Sequence, residues 1–365
     1  MTFEYWKNLS DSQNLMEFSQ NPEGLMWLKV KSITRVEWMK KFLDFSKIHL
    51  RSSRIYECQK ELYCFFQNRL EEAHSILDAF FRMEFELQKD LVSQEKLVSE
   101  LYQLEHFDWG GDYQNSLDKY LVSRFVKTFY PYRELVKKCR QESASAVQGY
   151  VLNSWYNHWT SILIEQIFKN HPAVLPTLGQ IKGVDFFIRN VPFDLKVTYF
   201  PAEYLKKQRK KRGLPNELTF LKQKARELRI PFSKNAKEHL LYYELTEKLR
   251  DRNSPESLEV LKTVSAEREE IIETAKTDPR ELIQWLYEMQ GEMRFGAENR
   301  LFLILVDSSD FLNSWKLKRN FDLLSQKINE YLNEFQGTQT DKMETRFSYK
   351  GKQYATLADA VFITK

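Results

Sequence analysis

Glycine is scarce in this 365-residue chain, at 11 residues, where average usage of about 7% would supply more than twice as many. That shortage argues against phosphate-cradling glycine-rich loops and against an all-β architecture with many tight turns. No GxxxxGK[ST] loop precedes the apolar run LFLILV, so Asp307 behind it does not read as the magnesium acid of a nucleotide hydrolase. The tetrapeptide DSSD at 307–310 reads instead as the end of a strand and the cap of the next helix. Cysteine is nearly absent: Cys58, Cys64 and Cys139 form no CxxC pair, which excludes a disulfide framework and a zinc ribbon and leaves reduced core thiols. There is no GxSxG elbow and no HExxH helix, and the six histidines are scattered. LFLILV, at 301–306, falls far short of the roughly 20 residues of a membrane helix. The opening MTFEYWKNLS lacks the basic-then-apolar order of a secretory signal, so a soluble cytoplasmic protein without membrane contact is expected. Net charge is also small, with 55 Lys and Arg against 51 Asp and Glu, or +4. A globally basic, histone-like binder is excluded.

What is present is apolar and aromatic side chain, 42% and 14% of residues, enough for a packed core. At roughly 100–200 residues per domain, the length suggests two or three domains. From Thr34 to about Lys138 apolar residues recur at three- and four-residue spacing, as in Leu62, Phe65, Phe66, Leu70 and then Ile76, Leu77, Phe80, Phe81. This predicts an all-helical domain over 1–145, with its aromatic stripes facing inward and its clearest turn at DWGGD, 108–112. The small-residue segment ESASAVQG, 142–149, marks the expected boundary. Beyond it, 153–169 reads as a helix, GVDFFIR and VPFDLKVTYF as strands, 280–289 as a charged helix, 300–306 as a buried strand, 314–335 as a helix, and 345–364 as a hairpin around Lys350 and Gly351. The fold class is therefore mixed α+β: a helical N-terminal domain, then an α/β core over 146–365 with a central mixed sheet flanked by helices and a basic helical insertion at about 201–250.

GVDFFIRNVPFDLKVT, 183–198, is the informative segment. If its strands pair through a two-residue turn at Arg189 and Asn190, Asp185 faces Asp194 across the ladder. Directly opposed Cβ atoms lie roughly 4.5–5.5 Å apart, where like charges repel and a cation is needed. Lys196, two residues after Asp194, projects from the same face. Two hard oxygen ligands on adjacent strands suit Mg²⁺, with Mn²⁺ as substitute, and such a metal activates water and offsets charge on phosphate oxygens. Lys196 would orient or deprotonate the water, or act as a fixed positive charge. Phosphodiester hydrolysis is the reaction these parts fit. The plainer alternative makes Asp194 and Lys196 an ion pair on a half-exposed strand, with Asp185 capping a turn.

The segment resembles the PD-(D/E)XK nuclease superfamily, with the restriction-endonuclease-like fold: Asp185 matches its first acid, and Asp194, Leu195 and Lys196 match the (D/E)XK tripeptide. Gly183 and Val184 stand where the family name would place a proline. In that family a glutamate on the preceding helix often joins the metal site. Glu165 matches it, with His158 and Ser161 on the same polar face. The resemblance implies a metal-dependent endonuclease cutting double-stranded DNA, of a type II restriction or phage-defence kind, with Asp185, Asp194 and Glu165 as metal ligands. It also implies a homodimer and a possible cognate DNA methyltransferase. Alternatives are an inactive nucleic-acid-binding or assembly protein on the same fold, and an RNA nuclease.

Residues 201–250 hold 14 Lys and Arg against 6 acids, a net of +8 that leaves −4 for the remainder. The densest part, KKQRKKRG, offers Lys206, Lys207, Arg209, Lys210, Lys211 and Arg212 as phosphate contacts.

Overall fold

The computed structural model describes all residues except 13–14, 89–92, 108–115, 234–235, 237, 290–297, 338–339 and 350. The expected turn at 108–112 and Lys350 therefore lie outside the described residues. Among those described, no helix is long and apolar enough to cross a membrane.

Six strands form one mixed sheet: β1 (Val174–Ile181), β2 (Val184–Ile188), β3 (Val191–Tyr199), β4 (Arg300–Val306), β5 (Glu344–Tyr349) and β6 (Lys352–Thr364), in the order β1-β2-β3-β4-β6-β5. β1, β2 and β3 make an antiparallel meander, β3, β4 and β6 run parallel, and β5 returns antiparallel to β6. Strand β4 is buried along its whole length, as its unbroken apolar run requires of a central parallel strand. Parallel neighbours need long crossovers. The β3–β4 crossover carries the helices Ala202–Lys211, Glu217–Glu227, Glu238–Arg252, Pro255–Thr277 and Arg280–Met289, so the insertion runs well past 250 and has a small core of its own around Leu221, Leu245 and Val264.

Two layers of helix cover the sheet. Ile164, Ile167 and Phe168 of the Ala144–Lys169 helix join Leu324 and Ile328 of the Phe321–Glu334 helix against Phe186, Phe193, Leu301 and Leu303. On the other face Ile271, Leu282 and Leu286 pack on Phe302, Ile304 and Val306. The N-terminal helices do not stand apart: Trp27, Leu28, Leu77 and Phe81 share a core with Leu175, Val184 and Phe187 of β1 and β2. Most of the apolar stripe of this region is core, with Leu62, Phe66, Leu77, Phe80 and Phe81 buried, but Phe65 is 39% exposed.

Three expectations need correction. The small-residue segment 142–149, which in composition marks the change of texture between domains, is helical: it lies within the π-helical turn Cys139–Ser143 and the Ala144–Lys169 helix, and alanine is the best helix former. The helix expected over 314–335 is two, a 3₁₀ helix Phe311–Arg319 and an α-helix Phe321–Glu334, divided at Asn320, whose side chain accepts from the Leu323 amide and caps the second. Cys58 is buried, but Cys64 is exposed.

Candidate active site

The β2–β3 turn is built by Arg189 and Asn190, both left-handed at φ 43° and 69°, the signature of a type I′ hairpin. The ladder it fixes pairs Ile188 with Val191, Phe187 with Pro192 and Phe186 with Phe193. One step further Asp185 stands across from Asp194, the register expected from the sequence. Regular pairing stops there. The Asp185 carboxylate (Oδ2) accepts the Leu195 amide at 2.8 Å, and the Asp194 amide donates to the Asn299 carbonyl on the β4 side at 2.8 Å.

Asp185 is half-buried, and its carboxyl is pushed up to about 6, first by burial and then by the charges of Asp194 and Glu165; the Leu195 N–H and Lys169 oppose the shift. Glu165 sits on the Ala144–Lys169 helix near enough for its charge to be felt at Asp185, while its own carboxylate pairs with Lys169 Nζ at 2.7 Å. Lys196 is partly buried on the Asp194 face of β3, where it pairs with Phe302 of β4. His158 is exposed and edge-on to Trp159. Gly183, two residues before Asp185, has φ +77°, and a Cβ there would meet Glu298 Cγ at 2.9 Å.

Asp194 is contacted by Arg300, at the head of β4, a residue the sequence marks only as the start of a strand. Its Nε lies 3.1 Å from Asp194 Oδ2 and its Nη2 2.8 Å from Glu298 Oε2, with the guanidinium 5.3 Å from the centre of the Tyr287 ring. Arg300 is only 3% exposed. The Tyr287 hydroxyl and Thr356 Oγ1 both donate to the Glu298 carbonyl, and Asn299 binds the Pro192 carbonyl and the Leu357 amide. The available signal was the placement of E-N-R directly before a wholly apolar strand, where a buried charge needs a partner.

Among the described residues no three His, Cys, Asp or Glu side chains converge as a ligand set. Asp185, Asp194 and Glu165 each hold a different partner. Asp185 and Asp194 are nevertheless the kind of pair Mg²⁺ can use, since it takes one or two protein carboxylates and retains water.

The basic run is less available than its sequence suggests. Arg209 is 1% exposed, with Nη2 2.7 Å from Glu267 and Nε donating to the Pro215 carbonyl, so it is a core ion pair and not a phosphate contact. Lys206 pairs with Glu203, Lys207 and Lys211 with Glu281, and Arg212 with Glu270. Lys210 is exposed with no ion pair among the described residues. A large cleft of about 1420 Å³ lies elsewhere, beyond the C-terminal end of β4, lined by Tyr242, Tyr243, Arg268, Phe311 and Trp315 among others. No family model, curated protein or solved structure matches the chain.

Proposed function

We propose that the chain is a Mg²⁺-dependent endonuclease of double-stranded DNA with a PD-(D/E)XK site, acting in restriction or another phage-defence role. The observation that carries this reading is the hairpin register, which sets Asp185 across from Asp194 where the ladder opens and leaves Lys196 on the face of Asp194. The sheet order supports it: an antiparallel meander whose third strand runs parallel to a buried fourth, with a helix preceding the meander. Asp185 and Asp194 would hold the metal, with Glu165 joining by releasing Lys169. When bound, Mg²⁺ supplies charge neutralisation at the phosphate and a more acidic water. Lys196 orients or deprotonates the attacking water and places positive charge where it builds on phosphorus. Arg300 offsets the charges of Asp194 and Glu298, which would otherwise repel. Incubating matched DNA and RNA duplexes with the protein and Mg²⁺ tests the substrate class: cleavage of DNA alone is expected, and cleavage of RNA alone contradicts it.

A second reading, a nucleic-acid-binding or assembly protein on an inactive nuclease fold, is favoured by one feature, the ion pair between the Arg300 guanidinium and Asp194. Calorimetry separates the two. The nuclease reading expects Mg²⁺ or Mn²⁺ binding that Asp185→Ala removes, and the scaffold reading expects none.

A further inference from the structure

Residues 116–143 form an arm of short helices, Leu117–Leu121 and Tyr132–Lys138, each followed by a π-helical turn, Val122–Val126 and Cys139–Ser143. Within it only Phe125 is buried, so the arm is not there to build the core. It carries seven Lys and Arg against three acids, a net of +4 equal to that of the whole chain. Two of its cations, Arg124 and Lys138, are taken by Glu142 at 3.1 and 2.9 Å. Lys127, Arg133, Lys137 and Arg140 are exposed and form no ion pair among the described residues, and the last three recur at i, i+4 and i+7, one side of a helix. Tyr130 and Tyr132, 97% and 77% exposed, flank Pro131 between the two limbs. Unneutralised cations beside bare aromatic rings are the chemistry that tracks a nucleic-acid backbone and stacks on unpaired bases.

We infer that this arm, and not the basic run at 206–212, is the main phosphate-contacting surface of the protein. The inference rests on the reading that the chain acts on nucleic acid. The arm leads directly into the Ala144–Lys169 helix, along which Glu165 lies about 30 Å away at 1.5 Å per residue. That is close to one turn of B-form duplex, so DNA seated at the carboxylates extends far enough to reach the arm. Val122 and Val126 are 40% and 63% exposed and suit a protein contact. A symmetric pairing of two copies through this surface would, however, set the same cations against each other, whereas a polyanion complements them.

Anisotropy of a fluorescein-labelled DNA duplex, titrated in EDTA at several salt concentrations, tests the assignment. The variant Lys127→Gln/Arg133→Gln/Lys137→Gln/Arg140→Gln is expected to bind at least ~10-fold more weakly, with a slope of log affinity against log salt shallower by about 3. Tyr130→Ala/Tyr132→Ala should weaken a single-stranded oligonucleotide more than the duplex and leave the slope unchanged. Lys206→Gln/Lys207→Gln/Lys210→Gln/Lys211→Gln should stay within about twofold of wild type. Equal affinity and slope in the arm variant overturns the inference, as does a loss confined to the 206–211 variant. An arm variant that changes the sedimentation mass while binding DNA normally assigns the arm to a second copy and also overturns it. If wild type binds no duplex, both the inference and the function fall. If it binds through the arm but never cuts, only the nuclease reading falls.

Discussion

Asp185 carries a charge that the fold resists. Its carboxyl is pushed up to about 6 from an ordinary 3.8, so the folded state holds the proton more tightly than the unfolded chain does. The group's favourable contribution is complete below about pH 4 and is lost as pH rises through 6, leaving a penalty of order 2–3 kcal/mol at pH 8. Asp185→Asn keeps an oxygen to accept the Leu195 amide, so urea melts should show it more stable than wild type at pH 8 and no more stable at pH 4, with cleavage abolished. A variant less stable at both pH values would mean that the buried charge is compensated after all. Arg300 shows the converse. Arg300→Met leaves Asp194 and Glu298 without their shared cation and should lower stability by about 3–5 kcal/mol. Arg300→Lys, which keeps the charge but not the fork, should lose less. Chemical denaturation measures both, and a neutral Arg300→Met would remove Arg300 from any part in holding the site.

At the level of elements, the β2–β3 hairpin is where sequence and structure agree most closely. The assumption of a two-residue turn at Arg189 and Asn190 placed Asp185 opposite Asp194, and the fold keeps that register because a slip of one residue would turn Phe186 and Phe193 out of the core. The turn is testable through Asn190, at φ 69°. Asn190→Gly tolerates that backbone and should retain cleavage within a few-fold. Asn190→Val should destabilise by about 1–3 kcal/mol and cut activity at least ~10-fold by disturbing the register. Equal activity in the two would separate the turn from the site. Other elements were less legible for local reasons. Alanine and serine at 142–149 look like a domain boundary in composition but continue a helix, and Asn320 divides a periodic stretch because its side chain serves as a cap. Arg300 was hidden because parallel pairing joins β3 to β4 across more than a hundred residues, and no local pattern reports which strand lies beside Asp194.

Across the whole molecule, charge changes meaning once the chain is folded. The window 201–250 nets +8, but 251–289 holds 5 Lys and Arg against 10 acids, a net of −5, and Glu267, Glu270 and Glu281 from that stretch pair with the basic helix. A sequence window ending at 250 cuts in half an insertion whose net charge over 201–289 is only +3. The three larger cores meet at the sheet, so the N-terminal helices, the insertion and the C-terminal crossover all bear on the β2, β3 and β4 segments that carry Asp185, Asp194, Lys196 and Arg300. The central claim is that these carboxylates and this lysine cut DNA. Supercoiled plasmid with Mg²⁺ should be nicked or linearised by wild type and left intact in EDTA, while Asp194→Ala and Lys196→Ala bind the same DNA without cutting it. Cleavage by both variants at the wild-type rate would contradict the account.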